Sequence, residues 1–402
     1  MKFIADKSKG ILGGPDSPEL WSEITSHIPD SLLLKDNVKI LCVAFGHGTE
    51  ADVLVARMQK LGIPNTKIKE SIHLIDLYKV FTKDALRRGY INVTKANFLE
   101  WQPKFKFDII VGNPPCAAPN KGDYSYWARF VDRSYSFLKN NGCLAMIIPA
   151  GWMSPTNDIR QGKKSILRDI FAKENTSHIC IDPNLGNRYF RGIGQMFSYF
   201  VMFKQKYSQT TTLDLGHTSI QVDLQKVTML PKFVSEHGIS IMQKITDGKE
   251  KWNFKRYIMP ESWDDISFEK TKDKSYARIN GNSNRLDKTC YSVNPCKLQN
   301  NKKVILPYNG SKFKFVVDDG KQGCTNAYII MLDENDSIEA AEVYFGSKLI
   351  QWLGTNKFTQ YNEGSLINSL TKIPLSGKLD EMQIYKFYNL TDEEISFIES
   401  HF

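Results

Sequence analysis

The chain has 402 residues, with 53 lysines and arginines against 44 aspartates and glutamates, so its formal net charge is +9. Hydrophobic residues make up 41% and charged residues 24% of the sequence, which excludes an intrinsically disordered, collagen-like or coiled-coil protein. At about 100–200 residues per domain this length predicts two or three domains. No apolar run reaches the ~18 residues that a membrane-spanning helix needs, so we expect no membrane association.

The seven cysteines are dispersed along the chain. They form no CxxC pair and no grouping with histidine at the spacing of metal ligands, so we expect no bound metal. The first residues lack the apolar stretch of a secretion signal. An odd number of dispersed cysteines in such a chain indicates reduced thiols and a cytoplasmic location.

Strands alternate with helices through the first half of the chain. A helix is predicted at 50–61, where Val53, Leu54, Met58 and Leu61 follow helical spacing, and another helical stretch ends at Arg88. Apolar runs that predict strands occur at 38–44, 71–76, 91–94, 107–112, 142–149, 177–182 and 198–204. This alternation is typical of a mostly parallel, Rossmann-like α/β sheet covered on both faces.

The character of the sequence changes at a polar break, residues 209–212. We therefore predict one domain at 1–207 and a second at 208–402, the latter of mixed α+β type with a helix at 337–353. Residues 251–321 hold 15 lysines and arginines against 8 acidic residues, so most of the net charge lies in this stretch. A basic stretch in an otherwise nearly neutral protein indicates a polyanionic partner.

A glycine-containing turn, residues 44–50 (Ala-Phe-Gly-His-Gly-Thr-Glu), joins the first strand to the first helix of the alternation. Glycines at such a turn let the backbone approach a ligand, and the helix N-terminus offers unpaired N–H groups. Asp76 ends the next strand, where an acid commonly binds ribose hydroxyls. The full GxGxxG pattern is absent, which favours a nucleoside ligand without a pyrophosphate. The alternative is a turn with a purely structural role.

The strand at 107–112 runs directly into Asn113-Pro114-Pro115. Two prolines cannot continue a hydrogen-bonded ladder, and they fix the backbone at the strand's carboxyl end, where open α/β sheets bind ligands. The Asn113 side-chain oxygen and the Pro114 carbonyl are then two fixed acceptors for the hydrogens of a planar amino group. A simple strand-ending turn explains the prolines but not the asparagine.

The segment from Asp108 to Pro115 resembles the catalytic motif of S-adenosylmethionine-dependent amino-methyltransferases, above all the N6-adenine DNA methyltransferases. The order of motifs is similar to that of the gamma class, which includes methylases of type II restriction–modification systems. The resemblance covers about residues 35–205. It implies the methyltransferase fold with a C-terminal α+β target-recognition domain, S-adenosyl-L-methionine as cofactor, and methyl transfer to the N6 amine of a flipped-out adenine in double-stranded DNA.

The resemblance also implies roles for individual residues. The cofactor would be bound by Ala44, Gly46, Gly48, Glu50, Asp76, Asn97, Phe98 and Asn113. The catalytic residues would be Asn113, Pro114, Pro115 and Cys116, with Phe190 packing on the flipped base. Cys42 and Val43 stand where the family has an acid and a proline, so either Glu50 supplies the acid or cofactor binding is weakened.

Cys116 stands where the family has an aromatic residue that stacks on the base. Either Phe190, Tyr124 or Trp127 takes over this role, or the pocket has changed. Pro-Pro-Cys is also the signature of cytosine-5 methyltransferases, which attack the base through a thiolate. Their other motifs are absent here and Asn113 suits amine capture, so amino methylation is favoured. Methylation of cytosine N4, of RNA or of protein glutamine, and an inactive nucleic-acid-binding protein, remain alternatives.

The basic stretch of the second domain is expected to contact DNA. Its candidate phosphate- and base-binding residues are Lys255, Arg256, Arg278, Arg285, Lys302, Lys303, Lys312 and Lys314. For any single residue among them, a solvated surface lysine or arginine is the competing interpretation. The resemblance further implies a monomer on DNA and a separate cognate restriction endonuclease as a partner.

Overall fold

We describe the fold from a computed structural model of the chain. It describes residues 17–116, 126–153, 158–159, 164–189, 196–207, 210–227, 229–231, 234–260, 262–281, 286, 288–307, 313–355 and 367–402. The chain separates into two compact units, the first ending at Lys226 and the second beginning at Val227.

A nine-stranded sheet forms the centre of the first unit, as far as this unit is described. The strands of this unit are β1 (Ile40–Val43), β2 (Ile72–Asp76), β3 (Asn92–Lys95), β4 (Phe107–Gly112), β5 (Leu138–Pro149), β6 (Asp158–Ile159), β7 (Lys164–Ser165), β8 (Glu174–Cys180), β9 (Phe197–Lys206), β10 (Thr211–Asp214) and β11 (Ser219–Val222). Strands β6 and β7 form a separate two-stranded ribbon, and the other nine form the large sheet. The strand order in the large sheet is β11-β10-β8-β9-β5-β4-β1-β2-β3.

Strands β3, β2, β1, β4 and β5 are parallel, as the sequence predicts. Strand β9 lies antiparallel between β5 and β8, and β11 is antiparallel to β10. All four residues of β1 and all six of β4 are buried. Both faces of the sheet are therefore covered, which explains why these strands are continuous apolar runs rather than alternating ones.

The helices of the first unit are α1 (Pro18–Ser26), α2 (Asp30–Leu33), α3 (Thr49–Lys60), α4 (Asn65–Ser71), α5 (Lys79–Arg87), α6 (Tyr126–Phe137) and α7 (Leu185–Tyr189). Helix α1 begins where the Ser17 hydroxyl accepts the Leu20 N–H at 3.3 Å, with a proline in the first turn. Trp21 of α1 and Leu54 of α3 belong to one buried cluster with Ile40 and Cys42 of β1. This packing fixes α1 and α3 on one face of the sheet.

The second unit contains two four-stranded sheets and five helices among the residues described. The strands are β12 (Phe254–Tyr257), β13 (Ile266–Ser267), β14 (Tyr276–Ile279), β15 (Thr289–Ser292), β16 (Lys302–Pro307), β17 (Val316–Asp319), β18 (Gly323–Cys324) and β19 (Ala327–Met331). The helices are α8 (Glu236–Thr246), α9 (Ile338–Gly346), α10 (Lys348–Thr355), α11 (Glu381–Phe387) and α12 (Asp392–Glu399). The sheet orders are β12-β19-β16-β17 and β13-β15-β14-β18.

The boundary between the units differs from the predicted one at residue 207. The polar stretch after it forms β10, which pairs with β8 and extends the large sheet. Thr211 and Leu213 of β10 are fully buried. The stretch predicted to be a polar break is therefore a strand whose buried face carries one hydroxyl and one apolar side chain. The first unit therefore continues to Lys226.

The helix predicted at 337–353 is divided at Ser347. The Ser347 hydroxyl donates to the Tyr344 carbonyl at 2.7 Å and accepts the Ile350 N–H at 3.3 Å. The side chain thus ends α9 and begins α10, because serine competes with the backbone for its hydrogen bonds. None of the described helices is long and apolar enough to cross a membrane.

Asp108, near the start of β4, joins three neighbouring segments. It is 1% exposed, and its carboxylate accepts the Lys39 N–H at 2.9 Å and pairs with the ammonium groups of Lys35 at 2.6 Å and Lys139 at 2.7 Å. Burial alone raises the pKa of Asp108, but the hydrogen bonds from Lys139, Lys35 and the Lys39 N–H outweigh it, so the pKa is lowered. This carboxylate fixes β4 beside the entry to β1 and the start of β5.

Asp108→Asn is expected to lower the free energy of unfolding at pH 7 by about 1–3 kcal/mol, because it weakens hydrogen bonds to a buried group. A lowered folded-state pKa stabilises the fold above the unfolded-state value of about 3.9, and this contribution is lost as the pH falls through the folded-state pKa. In urea unfolding between pH 7 and 2, the free energy of unfolding should therefore fall more steeply with decreasing pH in the native protein than in Asp108→Asn.

The matched control is Asp36→Asn, which removes an exposed carboxylate that lies 3.7 Å from the Lys67 ammonium. Its effect is expected to stay within about 0.5 kcal/mol at every pH. Equal acid sensitivity in the native protein and Asp108→Asn would contradict the role given to Asp108.

Candidate active site

The candidate site lies at the carboxyl edge of the parallel strands. Val43, the last residue of β1, pairs with Ile75 of β2 on one side and with Gly112 of β4 on the other. Asp76 in turn pairs with Lys95 at the end of β3. Because all four strands are parallel, the segments that follow them leave the sheet at the same edge, as the sequence predicts.

The turn after β1 is held in a backbone conformation that glycine favours. Gly46 has φ +53° and Gly48 has φ +75°, and Gly48 is the N-cap residue of α3. Ala44 also has a positive φ, of +53°, and its N–H donates to the Ile75 carbonyl at 2.9 Å. The chain therefore bends sharply after β1, and the first-turn N–H groups of α3 lie at the sheet edge.

Asp76 connects the ends of β1 and β2. One carboxylate oxygen accepts the Gly46 N–H at 3.0 Å, and the other accepts the Tyr78 N–H at 2.8 Å. The residue is 6% exposed, and burial raises the pKa of Asp76 although the N–H groups of Tyr78 and Gly46 oppose the shift. The acid thus holds the glycine turn in place.

Arg88 braces the same turn from outside, a role that the sequence did not reveal. Its guanidinium donates to the His47 carbonyl at 2.5 Å and forms an ion pair with Asp52 of α3. The Tyr90 hydroxyl donates to the same Asp52 carboxylate at 2.6 Å. The only sequence signal for this role is an arginine directly after α5. Its partners lie about 40 positions earlier in the chain, so the sequence alone does not connect them.

Three other predicted cofactor residues also follow β1 or β3. Glu50, in the first turn of α3, is only 2% exposed. Asn97 is half-buried, and its side-chain oxygen accepts the Leu99 N–H at 3.1 Å. Phe98 is 4% exposed and stacks on Phe130 of α6 with ring centroids 5.3 Å apart. Asn97 therefore lies at the edge, while Glu50 and Phe98 are largely interior.

Asn113 and the prolines follow β4 at this edge. A Cβ on Gly112 would lie 2.5 Å from the Val43 carbonyl oxygen, so only glycine lets β4 end this close to β1. Asn113 is half-buried and Pro114 is buried, while Pro115 and Cys116 are half-buried. Asn113 therefore follows β4 at the level where the glycine turn follows β1, at a point of the backbone that the prolines make rigid.

Cys116 is a half-buried free thiol packed against the core cluster that contains Cys42. Burial raises the pKa of the Cys116 thiol to about 11. The other six cysteines are free thiols as well, and all of them are buried. At neutral pH the sulfur of Cys116 is therefore protonated and a poor nucleophile.

Of the aromatic residues considered for stacking on a base, Phe190 and Tyr124 lie outside the described residues. Trp127, in α6, is 1% exposed. A side chain buried to this degree contributes to the core rather than to a surface that a base could contact.

Two of the predicted DNA-binding residues are interior, and their roles must be corrected. Arg278 is fully buried, and its guanidinium donates to the Ser292 hydroxyl at 2.6 Å and the Asn294 carbonyl at 3.1 Å. Lys303 is fully buried beside Asp318, with Nζ 2.5 Å from the carboxylate and 2.7 Å from the Gln322 carbonyl. Each ties strands of the second unit together, because a buried charge must be paired.

Of the other predicted DNA-binding residues, three are exposed, one is hydrogen-bonded to backbone carbonyls, and two lie outside the described part of the chain. Lys255, Arg256 and Lys314 are exposed. Lys302 is half-buried, and its ammonium donates to the Glu334 carbonyl at 2.8 Å and the Asp336 carbonyl at 3.0 Å. Arg285 and Lys312 lie outside the described residues.

Part of the chain matches a known protein family. The family model described as Eco57I restriction-modification methylase matches residues 31–177. This stretch includes the glycine turn, Asp76 and Asn113, so the predicted resemblance to methylases of restriction–modification systems is confirmed.

A type II methyltransferase of Thermus thermophilus is 27% identical over 108 residues, which cover 21% of this chain. The aligned part spans about a quarter (24%) of that relative. The ATP-dependent type ISP restriction–modification enzyme LlaBIII, solved bound to DNA, aligns with 94% of this chain and 39% of its own, at a TM-score of 0.53 and 10% identity. The type IIG restriction endonuclease BpuSI aligns with 94% of this chain and 61% of its own, at a TM-score of 0.44 and 12% identity. The chain therefore has the methyltransferase fold and, over residues 31–177, is similar to the Eco57I restriction-modification methylases.

Proposed function

We propose that the chain is a DNA methyltransferase that transfers a methyl group from S-adenosyl-L-methionine to the N6 amine of a flipped-out adenine. The observation that carries the proposal is the position of Asn113, which follows β4 directly beside the turn that Asp76 anchors. An amide acceptor and a nucleoside-binding turn at one sheet edge are what transfer of a methyl group to a planar amine requires.

The residues at this edge fit the proposed cofactor. An acid at the end of β2 suits the ribose hydroxyls, and the turn at Gly46 and Gly48 brings backbone N–H groups to the ligand without a side chain in between. When bound, S-adenosylmethionine supplies a methyl group activated by its positively charged sulfur. Positioning at the helix N-terminus and next to Asn113 supplies the proximity.

Asn113 and Pro114 act on the target amine. The lone pair of an exocyclic adenine amine is delocalised into the ring, which makes the nitrogen a weak nucleophile. Hydrogen bonds from the amine to the Asn113 side-chain oxygen and the Pro114 carbonyl favour a pyramidal nitrogen and stabilise its developing positive charge. The base must first leave the duplex, at a cost of roughly a few kcal/mol.

The state of Cys116 favours amino methylation over cytosine-5 methylation. The latter reaction needs a thiolate, and burial raises the pKa of Cys116 to about 11. On the amine pathway no covalent enzyme–base bond forms, so a protonated thiol suffices. The small side chain then serves as packing against the core.

Two similar proteins support DNA as the substrate. LlaBIII was solved bound to DNA, and the Thermus protein is a type II methyltransferase. The deciding experiment is incubation with tritiated S-adenosylmethionine and mixed-sequence DNA, followed by nucleoside analysis. Label in N6-methyl-2′-deoxyadenosine is expected. Label in N4-methyl- or C5-methyl-2′-deoxycytidine, or no transfer to DNA while an RNA of mixed sequence is labelled in a parallel incubation, would contradict the proposal.

Asn113→Ala is expected to reduce methyl transfer at least about 100-fold, since one of two preorganised acceptors is lost. Cofactor affinity, measured by calorimetry, should change less than about twofold. Cys116→Ser is the matched control at the same loop, and it should retain most of the activity. A Cys116→Ser variant without activity, together with a covalent adduct between native protein and DNA, would instead indicate cytosine-5 chemistry.

Asp76→Ala is expected to weaken S-adenosylmethionine binding about 10- to 100-fold, because hydrogen bonds to a charged group contribute about 1.5–3 kcal/mol. Calorimetric titration measures this affinity. Glu70→Ala, an exposed acid preceding the other end of β2, should bind the cofactor like the native protein. Unchanged affinity in a folded Asp76→Ala variant would remove Asp76 from the site.

Lys255→Gln is expected to weaken DNA binding and to reduce the slope of log affinity against log salt by about 1, as for loss of one phosphate contact. Lys386→Gln makes the same charge change at an exposed position of α11 and should leave the slope unchanged. Binding isotherms at several salt concentrations distinguish the two. The same slope in both variants would show that Lys255 does not contact phosphate.

A further inference from the structure

Side chains of types that bind metals gather around β8, the third strand from one edge of the large sheet, from three separate stretches of the chain. Glu23 of α1 and His27, the C-cap residue of that helix, are one turn apart, and His178 and Cys180 are two residues apart on β8, so each pair shares a face. Asp214 of β10 is in register with Cys180. Cys180 also belongs to the buried cluster that contains Trp21 of α1, so this is the face that α1 covers.

Three of these residues converge. A carboxylate oxygen of Glu23, the sulfur of Cys180 and a carboxylate oxygen of Asp214 all lie within 4.8 Å of one another. The Tyr199 hydroxyl donates to Glu23 Oε1 at 2.6 Å and holds that carboxylate in place. Glu23 and Asp214 are half-buried, while Cys180 is 1% exposed. The group is thus open to solvent on its carboxylate side and closed behind the thiol.

Lysine and arginine do not balance the charges of this cluster. Among the described residues, none of them forms an ion pair with Glu23 or Asp214. The Asp214 carboxylate accepts the Gly216 N–H at 2.8 Å, a neutral donor that leaves its charge in place. Two carboxylates this close repel each other, and a cation between them would remove the repulsion.

A second observation at the same place concerns His178. This residue is 8% exposed, and its Nε2 atom has no hydrogen-bond partner within the described part of the chain. Its ring stacks on that of His27 with centroids 3.7 Å apart. A neutral imidazole nitrogen can accept a hydrogen bond or bind a metal. Buried polar atoms without partners in a native fold are rare.

We propose that Glu23, Cys180 and Asp214 bind a divalent transition metal ion of the zinc type. A sulfur with two carboxylate oxygens suits a borderline ion, whereas calcium and magnesium prefer oxygen alone. A water completes four-fold coordination and gives His178 Nε2 its missing partner. As the sulfur–metal bond forms, the Cys180 thiol loses its proton to solvent. The ion joins α1, β8 and β10, and its role is independent of methyl transfer.

Cobalt(II) titration of the full-length, chelator-treated protein tests the proposal, because a thiolate ligand produces a near-ultraviolet charge-transfer band. We expect one cobalt per chain, with the band abolished in Cys180→Ser and displaced by zinc. Cys143→Ser, which alters another buried thiol on β5, should retain it. No band in the native protein, or a band that persists in Cys180→Ser, overturns the proposal.

Two further variants distinguish loss of the metal site from misfolding of the protein. Tyr199→Phe retains the packing of the ring but removes the hydrogen bond to Glu23, and it should weaken zinc affinity at least about 10-fold. Asp214→Asn should do the same while its far-ultraviolet circular dichroism matches that of the native protein. Native-like zinc affinity in both folded variants would contradict the assigned ligands. Zinc should also raise the melting temperature of the native protein but not of Cys180→Ser.

Discussion

The shared register of Val43 with Ile75 and Gly112 is the constraint on which the candidate active site depends. Neighbouring parallel strands lie ~4.8 Å apart, so three strands that end at one level bring their following segments within the length of a nucleoside. Gly112 permits this arrangement, because a Cβ there would meet the Val43 carbonyl oxygen. The position of Asn113 thus follows from backbone packing one residue earlier.

Asp76 shapes the turn that we propose binds the cofactor. Its carboxylate accepts the N–H groups of Gly46 and Tyr78, so hydrogen bonds within the protein hold the conformation of the turn. Arg88 adds a second support on the outer side of the turn, through the His47 carbonyl. A preorganised loop loses less conformational entropy on binding, which is how residues without ligand contact contribute to affinity.

Local signals made the sheet and its edge predictable from the sequence. Apolar runs, the Gly46 turn and the prolines after Asn113 each act over a few residues, and the candidate site was proposed from the same signals. The roles of Arg278 and Lys303 were not predictable, because their burial depends on distant partners such as Ser292 and Asp318. In the same way, the sequence does not reveal the proposed metal ligands, since Glu23 of α1 meets Cys180 and Asp214 only in the folded unit. Strand β10 escaped recognition because a threonine, Thr211, forms part of its buried face.

The uneven burial of the seven thiols gives the protein a built-in labelling position. Six cysteines are enclosed in the two units, and Cys116 alone is partly open to solvent. An alkylating probe applied to the native chain therefore enters at the loop that carries Asn113, slowly because the thiol is protonated. Such a probe would report when that loop is covered, and full labelling of all seven thiols would mark the loss of the fold itself.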